Sequence, residues 1–354
     1  MLTGMTKNDK PVLIYDLDKS ALLEWVLAAG QPKYRAGQIW QGLYQNLWDS
    51  AEEFTVLPKP LREKLAEDFT FSALQPGRIL NSADQETTKT LFWLPDQKAI
   101  EAVLMRYDRR RTLCISSQAG CAMGCVFCAT GQMGFKRNLS SGEIVEQVLY
   151  YARMLRDEGL DVTNVVLMGM GEPFHNYANV MAAIDRLNDP EGFNMGARRF
   201  TISTVGLVPM IRKFAAEKRQ VNLAISLHAA EDERRSALMP VNRKYPIDEL
   251  IQACREYVEI TGRRVTFEWA LIAGENDTID EARRLAALLK GLLCHVNLIP
   301  LNPTQKYAGQ GSPRERVEAF AGVLERAGIP ATIRMRRGMD IQAGCGQLAT
   351  EAGG

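Results

Sequence analysis

The chain has 354 residues, 46% of them hydrophobic and 24% charged, and a net charge of +1. That composition is ordinary for a soluble globular protein and excludes a disordered one, the charge argues neither for nor against a polyanionic partner, and the length allows one large domain with a smaller one, or two medium ones. The first twenty residues carry no basic-then-apolar leader and no apolar run is long enough for a bilayer, so a cytoplasmic protein without a membrane partner is expected.

The opening stretch reads as helices. KSALLEWVLAAG (19–30), KYRAGQIWQGLYQNLW (33–48) and PLREKLAEDF (60–69) are apolar on one face, and the first ends in a glycine suited to a C-cap. Near residue 75 the pattern changes to short alternating or apolar pieces, GRILNS, TKTLFWLP, KAIEAVLMRY and RTLCISS, which predict strands and hairpins. From residue 111 strands alternate with helices. Strands are predicted at 112–117, 163–169, 199–204, 221–228, 264–271, 296–301 and 331–335. Between the first two, 140–159 predicts a helix with a Ser140/Glu143 capping box and an apolar face of Ile144, Val145, Val148, Leu149, Ala152 and Leu155. Near-continuous apolar strands separated by helices imply an α/β fold with a helix-covered parallel sheet. Six or seven units are too few for a closed eight-fold barrel and suit an open, partial one, whose site gathers at the C-terminal strand ends.

Seven cysteines in a reducing compartment point to metal or catalysis before disulfides. Three of them, Cys121, Cys125 and Cys128, stand as C-x3-C-x2-C in the glycine-punctuated loop after the strand at 112–117. Zinc would need a fourth ligand, and the nearest histidine, His175, lies 47 residues beyond Cys128. An iron–sulfur cluster fits better, because thiolates are its standard ligands and three of them leave one iron open. Cys254 and Cys294 read as packing residues. Cys345, between two glycines in RMRRGMDIQAGCGQL, reads equally as a structural or a reactive thiol.

C-x3-C-x2-C with Phe127 before the last cysteine resembles the signature of the radical S-adenosylmethionine (SAM) superfamily. There the open iron chelates the methionine part of SAM, and one electron cleaves it to a 5′-deoxyadenosyl radical. VVLMGMGEP (165–173) agrees with that layout: its glycines, Gly171 included, permit close backbone approach, and Glu172 would hold SAM's ammonium. Ser203, Ser226, Leu227, His228 and Asn302, at later strand ends, read singly as caps or turns and together as a ring around one ligand.

The segments ISSQAGCAMGCVFCATGQMGF, LMGMGEP, STVGLVP, ISLHA and RRGMDIQAGCGQL together resemble the RNA adenosine methyltransferases of the RlmN/Cfr family, and YRAGQIWQGLY resembles that family's helical accessory domain. The resemblance implies a partial, open (β/α)6-type radical SAM barrel at 111–335. It also implies an accessory domain at 1–75, a β-hairpin extension at 76–110 and a C-terminal loop at 336–354. The implied cofactors are a [4Fe-4S] cluster on Cys121, Cys125 and Cys128, and two SAM per turnover. One SAM methylates Cys345; the radical from the second takes hydrogen from that S-methyl group, and the carbon adds to adenine. Cys114 then forms a disulfide with Cys345; Glu101, read as a lone carboxylate amid apolar residues, matches the implied general base, and Cys114 is the alternative group for removing the proton.

The implied product is 2-methyladenosine at position 2503 of 23S rRNA and at position 37 of tRNA. An external one-electron donor and a thiol reductant complete the partners, and a monomer is expected. C8 methylation of the same rRNA adenosine is the alternative within the family, and a non-catalytic iron–sulfur RNA-binding protein the alternative outside it. Arginines at 106–111 and 334–337 flank the implied site and are expected to contact RNA. Two departures from the family pattern, FEWALIAGEND and a glycine at 344 in place of alanine, are read as touching no site residue.

Overall fold

The computed structural model describes residues 11–334 and 336–349. Met335 of the last predicted strand, and the outermost residues of the first and last predicted segments, lie outside them.

Strand β1 (Val12–Leu13), helices α1 (Lys19–Ala28), α2 (Tyr34–Tyr44) and α3 (Lys59–Asp68), and strand β2 (Phe69–Thr70) form the N-terminal part, with β1 and β2 paired in parallel. Each predicted helix is present, ending one to four residues sooner than the periodicity suggests. Apolar side chains such as Trp25, Ile39, Trp40, Leu61 and Leu65 are buried, each contributing roughly 1.5–3 kcal/mol of transfer free energy. Polar ties fasten this part to the rest. The Asp16 carboxylate accepts from Gly142 N at 2.6 Å and Ser141 Oγ at 3.0 Å, and Arg186 donates to the carbonyls of Asp16 and Leu17 at 2.6 and 3.0 Å.

The remaining strands in order are β3 (Gln75–Asn81), β4 (Thr87–Trp93), β5 (Ala99–Tyr107), β6 (Arg110–Cys114), β7 (Gln118–Gly120), β8 (Phe135–Asn138), β9 (Asn164–Leu167), β10 (Phe200–Thr204), β11 (Asn222–Ser226), β12 (Val265–Leu271), β13 (Cys294–Pro300) and β14 (Ala331–Ile333). Helices α4 (Ala129–Gln132) and α5 (Ser141–Asp157) precede β9. They are followed by α6 (Tyr177–Asn188), α7 (Val208–Ala216), α8 (Asp232–Leu238), α9 (Ile247–Thr261), α10 (Ile279–Leu288) and α11 (Arg314–Arg326). Ten strands make one open sheet in the order β14-β13-β12-β11-β10-β9-β6-β5-β4-β3, while β7 and β8 form a separate ribbon. Pairing is parallel from β6 through β14 and antiparallel from β3 through β6. The hairpin extension is thus continuous with the barrel sheet, because β6 pairs with β5 on one side and β9 on the other.

Helix α5 has the predicted capping box: Glu143 N donates to Ser140 Oγ at 3.2 Å, and Ser140 N to the Glu143 carboxylate at 2.9 Å. Its predicted apolar face is buried throughout. On the same helix, buried Gln147 accepts from Ser116 N at 2.8 Å and donates to Ser116 O at 3.0 Å. The cysteine loop therefore leaves β6 from an anchored point.

Candidate active site

Cys121, Cys125 and Cys128 lie between β7 and α4, where Gly120 and Gly124 turn the chain with φ of 71° and 66°. Their thiols line one cavity together with Gly171, Glu172, Ser203, Ser226, His228, Glu268, Asn302 and Cys345. About 980 Å³ of space lies within it, part of it open to solvent. Burial pushes Cys121 up to about 12 and raises Cys125 and Cys128, so unligated thiols are neutral and metal binding must displace their protons. Among the described residues no three His, Cys, Asp or Glu side chains converge closely enough to hold a metal ion. The Cys125 thiol feels Cys128 and Cys121 electrostatically, which puts the three in one neighbourhood, and a zinc ion there would still need a fourth protein ligand.

Glu172 follows the turn after β9, where Gly171 has φ +103° and a Cβ on it would lie 2.5 Å from Gln118 Cβ. The Glu172 carboxylate is 2% exposed and accepts from Phe174 N and Val205 N, each at 2.9 Å. Its burial lifts the pKa to about 7, against those two backbone donors and Thr204, which lower it. His228 ends the next strand but one, with φ of 58° and Nδ1 accepting from Ala270 N at 2.9 Å. Desolvation first, and the Arg235 guanidinium second, hold it near 3, so it is a neutral ring whose other nitrogen carries the proton. Phe127 packs edge-on against it at 5.0 Å.

Asn302 Nδ2 donates to Cys345 O at 3.1 Å, while its buried Oδ1 has no partner among the described residues. Such an orphaned acceptor inside a cavity suits a ligand that brings a donor. Leu227 is the one expected ligand-ring residue that does not line the cavity. Its side chain belongs to the core and its backbone N–H donates to Glu268 O.

Cys345 lines the same cavity from over two hundred residues away along the chain. Its own loop docks on α4: Ala129 N donates to Gly346 O at 2.8 Å and Thr130 Oγ1 to Leu348 O at 2.6 Å. The residue is exposed, but the protein crowded around the thiol raises its pKa, the Glu268 carboxylate adds to this, and Arg334 opposes it. Cys114, buried at the end of β6, is raised first by desolvation and then by Cys345, which puts the two thiols in one electrostatic neighbourhood. Both are free thiols here.

Glu101 on β5 is buried, as its apolar neighbours suggest, but it is not a lone carboxylate. Lys89 Nζ lies 3.0 Å from Oε1, and Ala349 N donates to Oε2 at 3.0 Å. A sequence window around residue 101 cannot contain its partner, which comes from the adjacent strand β4.

Three other expectations change. Gly344 does touch a site residue, since a Cβ there would stand 2.5 Å from Asn302 Nδ2. FEWALIAGEND likewise contains a cavity residue, Glu268, buried and bonded to Asn297 Nδ2 at 2.8 Å. The arginine clusters are largely spoken for within the protein. Arg106 pairs with Glu158, Arg111 donates to Asp161 O, and Arg336 donates to Leu301 O. Arg337 pairs with Glu86 and stacks on Tyr107.

A second, wider groove adjoins the cavity. Arg78, Lys89, Trp93, Glu101, Lys306 and Gln342 are among its lining residues, on the face of β3–β5 and on the loops at 303–306 and 340–349.

Curated proteins share this chain over nearly its whole length. A dual-specificity RNA methyltransferase, RlmN 1, of Myxococcus xanthus is 49% identical, over 96% of this chain and 95% of its own. A probable dual-specificity RNA methyltransferase RlmN of Chloroflexus aurantiacus is also 49% identical, over 95% and 92%. The chain belongs to the RlmN family. Models of the radical SAM superfamily and of the ribosomal RNA large subunit methyltransferase N-terminal domain match residues 115–286 and 12–70. The crystal structure of a radical SAM methyltransferase from Sphaerobacter thermophilus superposes with a TM-score of 0.94 at 53% identity, covering 96% of this chain and all of that one. As an RlmN-type enzyme this chain is a SAM-dependent RNA methyltransferase whose cofactors are a [4Fe-4S] cluster and SAM. The three thiols on one cavity and the orphaned Asn302 acceptor fit those groups. Among the described residues no helix is long and apolar enough to cross a membrane.

Proposed function

We propose that this RlmN-type enzyme methylates C2 of adenosine, at position 2503 of 23S rRNA and position 37 of tRNA, with Cys345 as the methyl carrier. The observation that carries the reading is the docking of the Cys345 loop on α4, directly after Cys128, so that carrier and cluster thiols share one cavity. Cys121, Cys125 and Cys128 hold the cluster. Gly171, Glu172, Ser203, Ser226, His228 and Asn302, which line the cavity, hold SAM, the carboxylate of Glu172 against its ammonium, while Leu227 stays in the core. When bound, these groups supply a 5′-deoxyadenosyl radical by one-electron cleavage of SAM.

The protein's own residues do the remaining work. Cys345 Sγ takes a methyl group as a nucleophile and carries it to the base, a route needed because an adenine ring carbon is too poor a nucleophile for direct transfer. Glu101 takes the proton that leaves C2. The Cys114 thiolate attacks the sulfur of Cys345; the bond from that sulfur to the carried carbon breaks, its electron pair stays with the carbon, which takes a proton to become the product's methyl group, and the disulfide left behind is reduced by an external thiol. An external one-electron donor serves the cluster.

RNA enters by the groove beside the cavity, where Arg78 and Lys306 face phosphates and the 40%-exposed Trp93 offers a stacking surface for a splayed nucleotide. Residues 1–75 serve as the accessory domain, 76–110 as the hairpin extension, 111–335 as the barrel and 336–354 as the carrier loop of a cytoplasmic monomer.

Anaerobically reconstituted enzyme, given SAM, a reductant and unmethylated rRNA or tRNA, should yield 2-methyladenosine on nucleoside mass spectrometry. Finding 8-methyladenosine or no product overturns the proposal. Cys345→Ala should abolish transfer while keeping the iron.

A further inference from the structure

We infer that Lys89 is a positioning residue that fixes the Glu101 carboxylate and, with it, grips the carrier loop on both sides of Cys345. The inference rests on the roles proposed above for Glu101 and Cys345. Lys89 is 7% exposed, unusual for a lysine, which is seldom buried unless paired. Its Nζ meets Glu101 Oε1 at 3.0 Å and also donates to Gln342 O at 3.2 Å. The other carboxylate oxygen, Oε2, accepts from Ala349 N at 3.0 Å. The pair therefore holds the loop backbone three residues before Cys345 and four residues after it.

Sheet register explains why one lysine can do both. Lys89 lies opposite Val103, and Val103 opposite Cys114, so Lys89 and Cys114 stand in one row across three strands. Glu101 is two residues from Val103 on β5 and thus on the same face, diagonal to both. Lys89, Glu101 and Cys114 are thereby rigid sheet positions, while Cys345 is on a loop. Without an attachment between them, the proton acceptor and the methyl carrier would be oriented independently. The Lys89–Glu101 pair makes them one unit. Taking up a proton at Glu101 removes the charge that Lys89 attracts, which slackens the grip at the stage where Cys345 must turn toward Cys114.

The test uses full-length, cluster-reconstituted protein and needs no turnover. Cys345 alkylation by iodoacetamide, without SAM or RNA, is followed by peptide mass spectrometry in wild type, Lys89→Met, Lys89→Arg and Glu101→Gln. Loss of one charge-assisted hydrogen bond should raise the Cys345 rate about three- to tenfold in Lys89→Met and Glu101→Gln. Lys89→Arg should remain near wild type. Core residues Cys254 and Cys294 should not change, which separates a loosened loop from a loosened fold. If Lys89→Met does not fold, Lys89→Gln keeps a donor for Gln342 O without the charge and should speed hydrogen exchange at residues 343–349. An unchanged Cys345 rate, or an equal rise at all three cysteines, overturns the inference. Failure of the functional reading shows separately, as methyl transfer persisting in Cys345→Ala.

Discussion

Replacing Glu172 by glutamine should flatten the pH dependence of the cluster-free chain's stability while impairing its use of SAM. The carboxyl is 2% exposed, and burial lifts its pKa from 4.5 to about 7. A pKa raised in the fold means that folded protein binds the proton more tightly than unfolded protein. The associated stability is fully present below pH 4.5 and is lost as pH rises through about 7. At 1.36 kcal/mol per pH unit the loss amounts to about 3 kcal/mol. Glutamine carries no charge and so escapes that loss, but its amide nitrogen faces one of the two backbone N–H groups, at a cost of about 1–3 kcal/mol at every pH. Denaturant unfolding of chelator-treated protein from pH 5 to 8.5 is the assay. From pH 5 to pH 8 the variant should gain about 3 kcal/mol relative to wild type, whatever constant offset its amide introduces. SAM affinity should move the other way, falling at least tenfold at pH 8, where the ammonium loses an anionic partner. Parallel stability profiles across the range would refute the argument, because the two backbone hydrogen bonds would then outweigh desolvation.

Gly344→Ala should weaken SAM binding several-fold by equilibrium dialysis, since its Cβ would stand 2.5 Å from Asn302 Nδ2; full affinity would mean that the loop moves aside at no cost. Thr130→Val deletes the donor to Leu348 O and should cost about 1–3 kcal/mol in loop docking, read as faster hydrogen exchange at 344–348. Arg235 is fully buried and donates to Leu227 O, Val205 O, Ser226 O and Asn242 Oδ1. Arg235→Met leaves those strand-end acceptors bare, and a loss of at least about 3 kcal/mol is expected in denaturant unfolding. A loss under about 1 kcal/mol would show that water replaces the guanidinium there.

Much of the fold was legible because its signals are local. The capping box of α5 and the apolar strands after residue 111 each need only a short window, and the cysteine motif needs eight residues. What escaped depends on register or on distant segments meeting. Lys89 in TKTLFW reads as a strand lysine turned to water, and only the β4–β5 pairing brings it to Glu101. Glu268 sits in an apolar run where a carboxylate looks incidental until the parallel neighbour β13 supplies Asn297. Gly344 looked neutral because its contact, Asn302, lies 42 residues earlier. The arginine clusters show the same limit: charge density along the chain does not reveal that Arg106 and Arg337 already meet Glu158 and Glu86.

The closing of α4 by Gly346 O and Leu348 O carries a consequence for synthesis. Cys128 leaves the ribosome 217 residues ahead of Cys345. At roughly 5–20 residues per second, that is an interval of about 10–40 s. Through that time the three cluster thiols can be reached by whatever delivers iron and sulfide, with no carrier loop across them. Chain order thus sets an order of exposure: the three clustered cysteines are made first, and the segment that docks beside them arrives afterwards.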